Sequence, residues 1–178
     1  MTAFLQNVSV LVVILGCCFS AGGAAVNFHV LKEFDLPPQP GGDGVYPNTP
    51  GVGSGDGMLY GTAWRGGVSN QGTIYKMSDG GQAFEVLWRF GDVPHDGIGP
   101  LNIEDGRDGW LYGSTYYGGS SNVGTLFRLR KDGSGYAILH DFKGGALDGR
   151  NPIYITLAND GFIYGENRRV ETNDNPSM

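Results

Sequence analysis

Apolar and polar positions alternate over short stretches of this chain, and no window carries a helical period of any length. The cleanest stretch covers residues 84–90, with Phe84, Val86, Trp88 and Phe90 on one face and Glu85, Leu87 and Arg89 on the other. A period of two is that of a half-buried strand. Comparable runs at 58–63, 72–77 and 100–103 are rich in β-branched and aromatic residues and are divided by Gly, Asp and Asn. Short runs of this kind separated by turn formers predict an antiparallel meander of four strands. The N-terminus departs from that pattern. Residues 8–19 are nearly all apolar, and residues 1–31 contain no Lys, Arg, Asp or Glu. The run is too short to span a bilayer comfortably. The small residues Ser20, Ala21, Gly22, Gly23, Ala24 and Ala25 that follow it have the layout of an export signal with its cleavage region. The expectation is a signal peptide over 1–25 and a mature chain starting near Val26.

The pattern repeats. Asp56-Gly57-Met58-Leu59-Tyr60-Gly61 returns as Asp108-Gly109-Trp110-Leu111-Tyr112-Gly113 and again as Asp160-Gly161-Phe162-Ile163-Tyr164-Gly165, each time 52 residues on. Gly66-Gly67, Asn70 and Gly72-Thr73-Ile74-Tyr75-Lys76-Met77 return as Gly118-Gly119, Asn122 and Gly124-Thr125-Leu126-Phe127-Arg128-Leu129. Leu87-Trp88-Arg89-Phe90 answers to Leu139-His140-Asp141-Phe142 and, more distantly, to Leu31-Lys32-Glu33-Phe34. Asp96-Gly97 with Pro100 answers to Asp148-Gly149 with Pro152 and to Asp43-Gly44 with Pro47. The repeat domain therefore runs over 26–166, as a partial unit at 27–55, full units at 56–107 and 108–159, and a partial unit at 160–166. Residues 167–178 lose the pattern and read as a disordered tail. Four strands in about 50 residues is the size of a propeller blade. The fold class expected is all-β, an incomplete propeller-like array of about 2.75 blades. Since closed propellers need about four or more blades and open ones leave unpaired edges, two expectations follow: self-association through unpaired blades, or a truncated fragment of a longer repeat protein without function of its own.

These motifs resemble a known family, the Gloeobacter–Verrucomicrobia type tandem repeat, or GloVer repeat. Its pattern of LYG-(T/S), a GG doublet, N-x-GT-hydrophobic-(Y/F)-(K/R), L-x-x-F and DG-x-x-P stands here twice nearly complete, and in part at both ends. The resemblance covers roughly residues 27–166. It implies a propeller-like repeat in exported proteins, often held at the surface by a separate C-terminal anchor, and it implies no chemistry.

Composition narrows the functional classes. The 32 glycines in 178 residues are more than twice the usual share of ~7%, while 12% aromatic residues argue for a buried core. Lys+Arg 12 against Asp+Glu 18 gives a net charge of −6. That excludes the electrostatic footprint of a nucleic-acid binder, and no membrane span is expected once the signal is removed. Both cysteines, Cys17 and Cys18, fall inside the signal, so the mature chain has no disulfide. Ile14-Leu15-Gly16-Cys17 resembles a lipobox, which gives an alternative in which a lipoprotein is anchored at Cys17. The location expected is secreted or cell surface.

No catalytic constellation emerges. Asp43, Asp56, Asp96, Asp108, Asp148 and Asp160 each precede a glycine, and Asp-Gly is a hairpin-turn signal. Glu104-Asp105-Gly106-Arg107-Asp108-Gly109 fails the calcium-loop pattern at its third position. His29, His95 and His140 lack zinc-ligand spacing. No catalytic residue, metal or cofactor is assigned. Glu85, Glu104 and Glu166 are the carboxylates outside turns that a glycan-processing hydrolase or lyase would need, the alternative to a binding or structural module. Trp64-Arg65 and Tyr116-Tyr117 occupy equivalent positions before the GG doublets of successive units, and His95 adjoins a turn between units. Aromatic and arginine side chains in exposed loops suit a carbohydrate or protein ligand, so Trp64, Arg65, Tyr116, Tyr117 and His95 are the candidate binding residues. The competing use of the aromatics is packing between neighbouring units.

Overall fold

The structure, a computed structural model, describes residues 9–13, 29–34, 42–48, 52–145 and 147–167. Of the tail expected at 167–178, Asn167 instead ends a strand paired with Pro152; residues 168–178 and most of the segment read as a signal peptide lie outside the described residues. The described residues are all-β and contain no helix. The strands are β1 (Ser9–Val13), β2 (His29–Phe34), β3 (Val45–Pro47), β4 (Val52–Gly53), β5 (Met58–Arg65), β6 (Thr73–Ser78), β7 (Phe84–Arg89), β8 (Gly97–Asp105), β9 (Trp110–Gly118), β10 (Thr125–Arg130), β11 (Ala137–Asp141), β12 (Pro152–Leu157) and β13 (Ile163–Asn167).

Two sheets are complete meanders. One runs β3-β5-β6-β7, with β4 also on β5, so that β3 and β4 share the inner position; the other runs β8-β9-β10-β11. Two further sheets have two strands each, β1-β2 and β12-β13, and every pairing is antiparallel. This is consistent with a propeller-like array. The sequence repeat and the sheets are out of phase by one strand: β5, β6 and β7 belong to the repeat at 56–107, but its fourth run, in β8, is the inner strand of the following sheet. Each repeat is thereby stitched into the next.

The repeated motifs have physical causes. In the three Asp-Gly turns that precede Leu-Tyr-Gly or Ile-Tyr-Gly, one carboxylate oxygen accepts the amide N–H two residues on, at 2.9 Å for Met58 and Trp110 and 3.0 Å for Phe162. The other accepts the hydroxyl of Tyr60, Tyr112 or Tyr164. The tyrosine of Leu-Tyr-Gly thus ties its strand to its own turn. The glycine of that motif is a seat for a ring: Gly61 lies against Tyr75 and Gly113 against Phe127, so close that a Cβ would collide with either ring. Gly72 and Gly124 likewise receive Pro100 and Pro152 from the first strand of the next sheet.

Strand β7 corrects the simple alternation. Ile74 pairs with Trp88 and Tyr75 with Val86, which leaves Leu87 as the extra residue of a bulge. A bulge turns successive side chains toward one side, so Leu87 is buried at 9% exposure instead of facing outward. Phe84 packs on Phe34, Tyr75 and Met77, whereas Leu87 and Phe90 join the cluster of Tyr60, Ile74, Ile103, Leu111, Phe127 and Leu129 on the opposite face. The core is therefore two layers, one on each face of the first complete sheet. The same bulge recurs between Leu126 and Phe127 opposite Leu139, and between Leu11 and Val12 opposite Leu31.

Strand β1 falls in the segment read as an export signal, outside the 26–166 expected for the repeat domain. Its register on β2 matches that of β6 on β7. With β1 present, the described strands make two whole units and two halves.

Candidate functional site

Antiparallel pairing brings the GG loops and the loops leading into each inner strand to one end of the sheets, as the pairs Gly97 with Gly118 and Thr125 with Asp141 show. The loops there are set by asparagine. Asn70 and Asn122 have φ of 53° and 54°, a left-handed conformation that Asn tolerates better than most residues. Each accepts the N–H of Gly66 or Gly118 at 3.0 Å through its side chain.

On this frame Trp64, at the end of β5, meets two residues of β9 in the next sheet. Its ring centroid lies 5.8 Å from that of Tyr116 and 6.3 Å from that of Tyr117. The two tyrosines stand edge to face at 4.7 Å. Gly99 lies against the indole, where a Cβ has no room. Asn151 Nδ2 donates to the Tyr116 carbonyl at 2.7 Å and so fixes the backbone from the loop that enters β12 of the following sheet. Trp64 and Tyr116 are half-buried, and Tyr117 keeps 42% of its surface. Packing between units and an exposed aromatic face are thus both present. Arg65 and His95 lie at the same end and are exposed, His95 with φ of 59°. The structure joins three of the five sequence candidates and leaves two beside them.

Two polar groupings at this end escaped the sequence reading. The first is Asp96, buried, with Oδ1 accepting from Tyr136 at 2.6 Å and from the Gly97 N–H, and Oδ2 accepting from the Gly91 N–H. Burial raises its carboxyl above the usual range, against the lowering by these hydrogen bonds. Tyr136 stacks on Trp88 with centroids 4.0 Å apart. The second is a surface network around Ser120. Its hydroxyl donates to Asp141 at 2.7 Å and accepts from the Lys143 ammonium at 2.6 Å, which also reaches Asp141; His140 pairs with Asp148 at 2.6 Å. Burial is the largest single influence on Asp141 and opposes its ionisation, but the hydrogen bonds from Lys143 and Ser120 together hold its carboxyl low. The signal for this network was that positions 120, 140, 141 and 143 differ from their counterparts Val68, Trp88, Arg89 and Gly91. The base that Ser120 faces is Asp141, whose carboxyl is held low and so draws the hydroxyl proton only weakly.

The remaining carboxylates do not converge. Glu85 pairs with Lys76 across β6 and β7, Glu104 lies on β8 and Glu166 on β13, three strands of three different sheets. Among the described residues no group of three or more His, Cys, Asp or Glu is placed to hold a metal ion. No helix among them is long and apolar enough to cross a membrane.

No curated protein matches the chain. The family described as the Gloeobacter/Verrucomicrobia repeat matches over residues 13–176. That span takes in both whole sheets, β12 with β13, and β2, but only the last residue of β1, and the chain belongs to this repeat family.

Proposed function

We propose that the chain is a binding module and that the ring cluster of Trp64, Tyr116 and Tyr117 is its contact face, suited to a carbohydrate or protein ligand. The observation that carries this reading is the assembly of one partly exposed aromatic surface from equivalent positions of adjoining units. Aromatic rings offer large contact area at low conformational cost and stack on the apolar faces of sugar rings. The test is a titration of the full chain with cellohexaose and with chitohexaose, following tryptophan fluorescence. A saturable change is expected with at least one of them. It should be lost in Trp64→Phe and shifted at least about tenfold weaker in Tyr117→Ala, which is about 1.4 kcal/mol. No saturable change with either sugar at millimolar concentration removes the carbohydrate reading.

For its location we propose the cell surface or the outside of the cell. The uncharged N-terminal segment supports export, and the pairing of Ser9–Val13 with β2 supports retention of that same segment in the fold. Intact mass after expression in an exporting host separates the outcomes: a start near Val26, a diacylated Cys17, or a chain that keeps residues 9–13.

A further inference from the structure

The two half sheets are complementary. Strands β12 and β13 pair in the register of β8 and β9: Pro152 with Asn167 and Ile155 with Gly165 stand 52 residues on from Pro100 with Thr115 and Ile103 with Gly113. They form the inner half of a unit. Strands β1 and β2 pair in the register of β6 and β7. Leu11 opposes Lys32 as Ile74 opposes Trp88, Val12 opposes Val30 as Tyr75 opposes Val86, and the bulge falls at the same step. They form the outer half. Among the described residues, nothing pairs with the second edge of β13 or of β1.

The apolar surface beside β13 is correspondingly uncovered. Leu139 is 41% exposed, against 9% for its counterpart Leu87, on whose backbone Gly133 of the next unit's outer hairpin rests. Phe162 is 67% exposed, whereas the equivalent Trp110 lies under Arg128 and Arg130 of its own third strand. Gly165 has no ring seated on it, unlike Gly61 and Gly113. A groove of about 200 Å³ remains between the last two sheets, lined by Leu126, Phe142, Pro152, Ile155 and Ile163 among others.

We infer that this edge is an interaction surface for a second copy of the chain, whose β1 pairs with β13 and completes a four-stranded unit shared between the copies. An exposed strand edge is a ready template for added strands. The match of register and bulge makes β1 the strand that fits. By analogy with Gly61 facing Tyr75 and Gly113 facing Phe127, Gly165 of one copy faces Val12 of the other, and Glu166 faces Leu11. The contact is head to tail, and such contacts form closed rings or open filaments. The described strands of two copies, two whole sheets and two halves in each, add up to six units.

Sedimentation equilibrium of the full 178-residue chain is the test. The mass-average value should rise from 19.0 kDa toward twice that figure with concentration. Leu139→Lys with Phe162→Lys, both at exposed sites, should weaken association at least about tenfold while leaving the folded monomer intact by circular dichroism. In a background with Cys17→Ser and Cys18→Ser, the pair Leu11→Cys and Glu166→Cys should give a disulfide between copies. A chain beginning at Val26, which lacks β1, should stay monomeric. A monomeric full chain at tens of micromolar, or a disulfide formed only within one chain, overturns the inference. Neither result bears on sugar binding at Trp64, so the two proposals fail separately.

Discussion

The two faces of the second complete sheet carry the same motifs and differ in what covers them. Toward the first sheet, Leu87 and Phe90 meet Phe127, Leu129 and Tyr136, and both are buried. Toward β12 and β13, their counterparts Leu139 and Phe142 meet, among the described residues, only an inner half unit; Leu139 is exposed and Phe142 is half-buried beside His140, 4.6 Å away. A repeat motif therefore specifies a side chain's direction but not its burial. Burial comes from the outer strands of the next unit, as expected for arrays in which each repeat is stabilised by its neighbours.

The largest effect that can break this comparison is truncation of the two phenylalanines. Phe90→Ala leaves a cavity against Phe127 and Tyr136, rings 5.4 and 6.0 Å away, and should cost about 3–5 kcal/mol, a large share of a stability of about 5–15 kcal/mol. Phe142→Ala at nanomolar concentration should cost less than about half of that, since solvent already reaches the site. Urea unfolding of both variants measures the difference. Equal losses would show that the last face is as well covered as the first. A Phe142→Ala cost that grows with protein concentration would show a second copy covering it.

Next in size is the pair Asp96 and Asp148, equivalent residues in unlike surroundings. Asp96→Ala leaves the Gly91 N–H and the Tyr136 hydroxyl without their buried acceptor, at about 1–3 kcal/mol for each such group. Asp148 is exposed to solvent screening, and Asp148→Ala should leave the urea midpoint nearly unchanged. The pH dependence has opposite signs at the two sites. Burial raises the Asp96 carboxyl, so the folded state holds that proton more tightly, and its contribution to stability falls as pH climbs from the ordinary carboxylate range to the raised value. The Asp148 carboxyl is held low, first by the Lys143 N–H and then by His140; its contribution is present above the unfolded value and is lost as pH falls through the folded one. Asp96→Asn should therefore make the rise in urea midpoint between about pH 4 and pH 7 steeper than in the parent. A flatter rise would place the Asp96 titration on the stabilising side.

Much of this fold was legible because turn chemistry and strand period are local. Asp56, Asp108 and Asp160 made the hairpins readable, and the constant spacing from Leu-Tyr-Gly to Gly-Thr set the register of β5 on β6 and of β9 on β10. The bulge at Leu87 was not legible, since an extra residue keeps the apolar pattern while turning the side chain to the other face. The pairing of Ser9–Val13 with β2 was hidden for a related reason: an uncharged apolar run has the layout of an export signal and carries none of the turn motifs that mark the repeat. In the candidate site, Trp64, Tyr116 and Tyr117 could be found because equivalent positions of adjoining units lie side by side. Asp96 and Tyr136 could not, because 40 residues separate them and Asp96 read as one more Asp-Gly turn.

The smallest effect concerns the tyrosines of Leu-Tyr-Gly. Tyr60 is 2% exposed and donates to Asp56 at 3.2 Å; Tyr164 is 52% exposed and donates to Asp160 at 2.8 Å. If bond length set the contribution, Tyr164→Phe would be the costlier change. Burial predicts the reverse, because an exposed hydroxyl exchanges its partner for water at little cost. Tyr60→Phe should lower stability by about 0.5–1.5 kcal/mol, and Tyr164→Phe should leave the urea midpoint unchanged. Burial and then the neighbouring Asp56 push the Tyr60 hydroxyl up to about 12 from its ordinary 10.0. The folded state thus keeps a proton that the unfolded state releases, and stability present below pH 10 is lost between the two values. Comparing urea midpoints near pH 9 and pH 11 should show that part of the alkaline loss removed in Tyr60→Phe and retained in Tyr164→Phe. An alkaline loss unchanged in Tyr60→Phe would assign it to the more deeply buried hydroxyls of Tyr75 and Tyr136, which burial also raises.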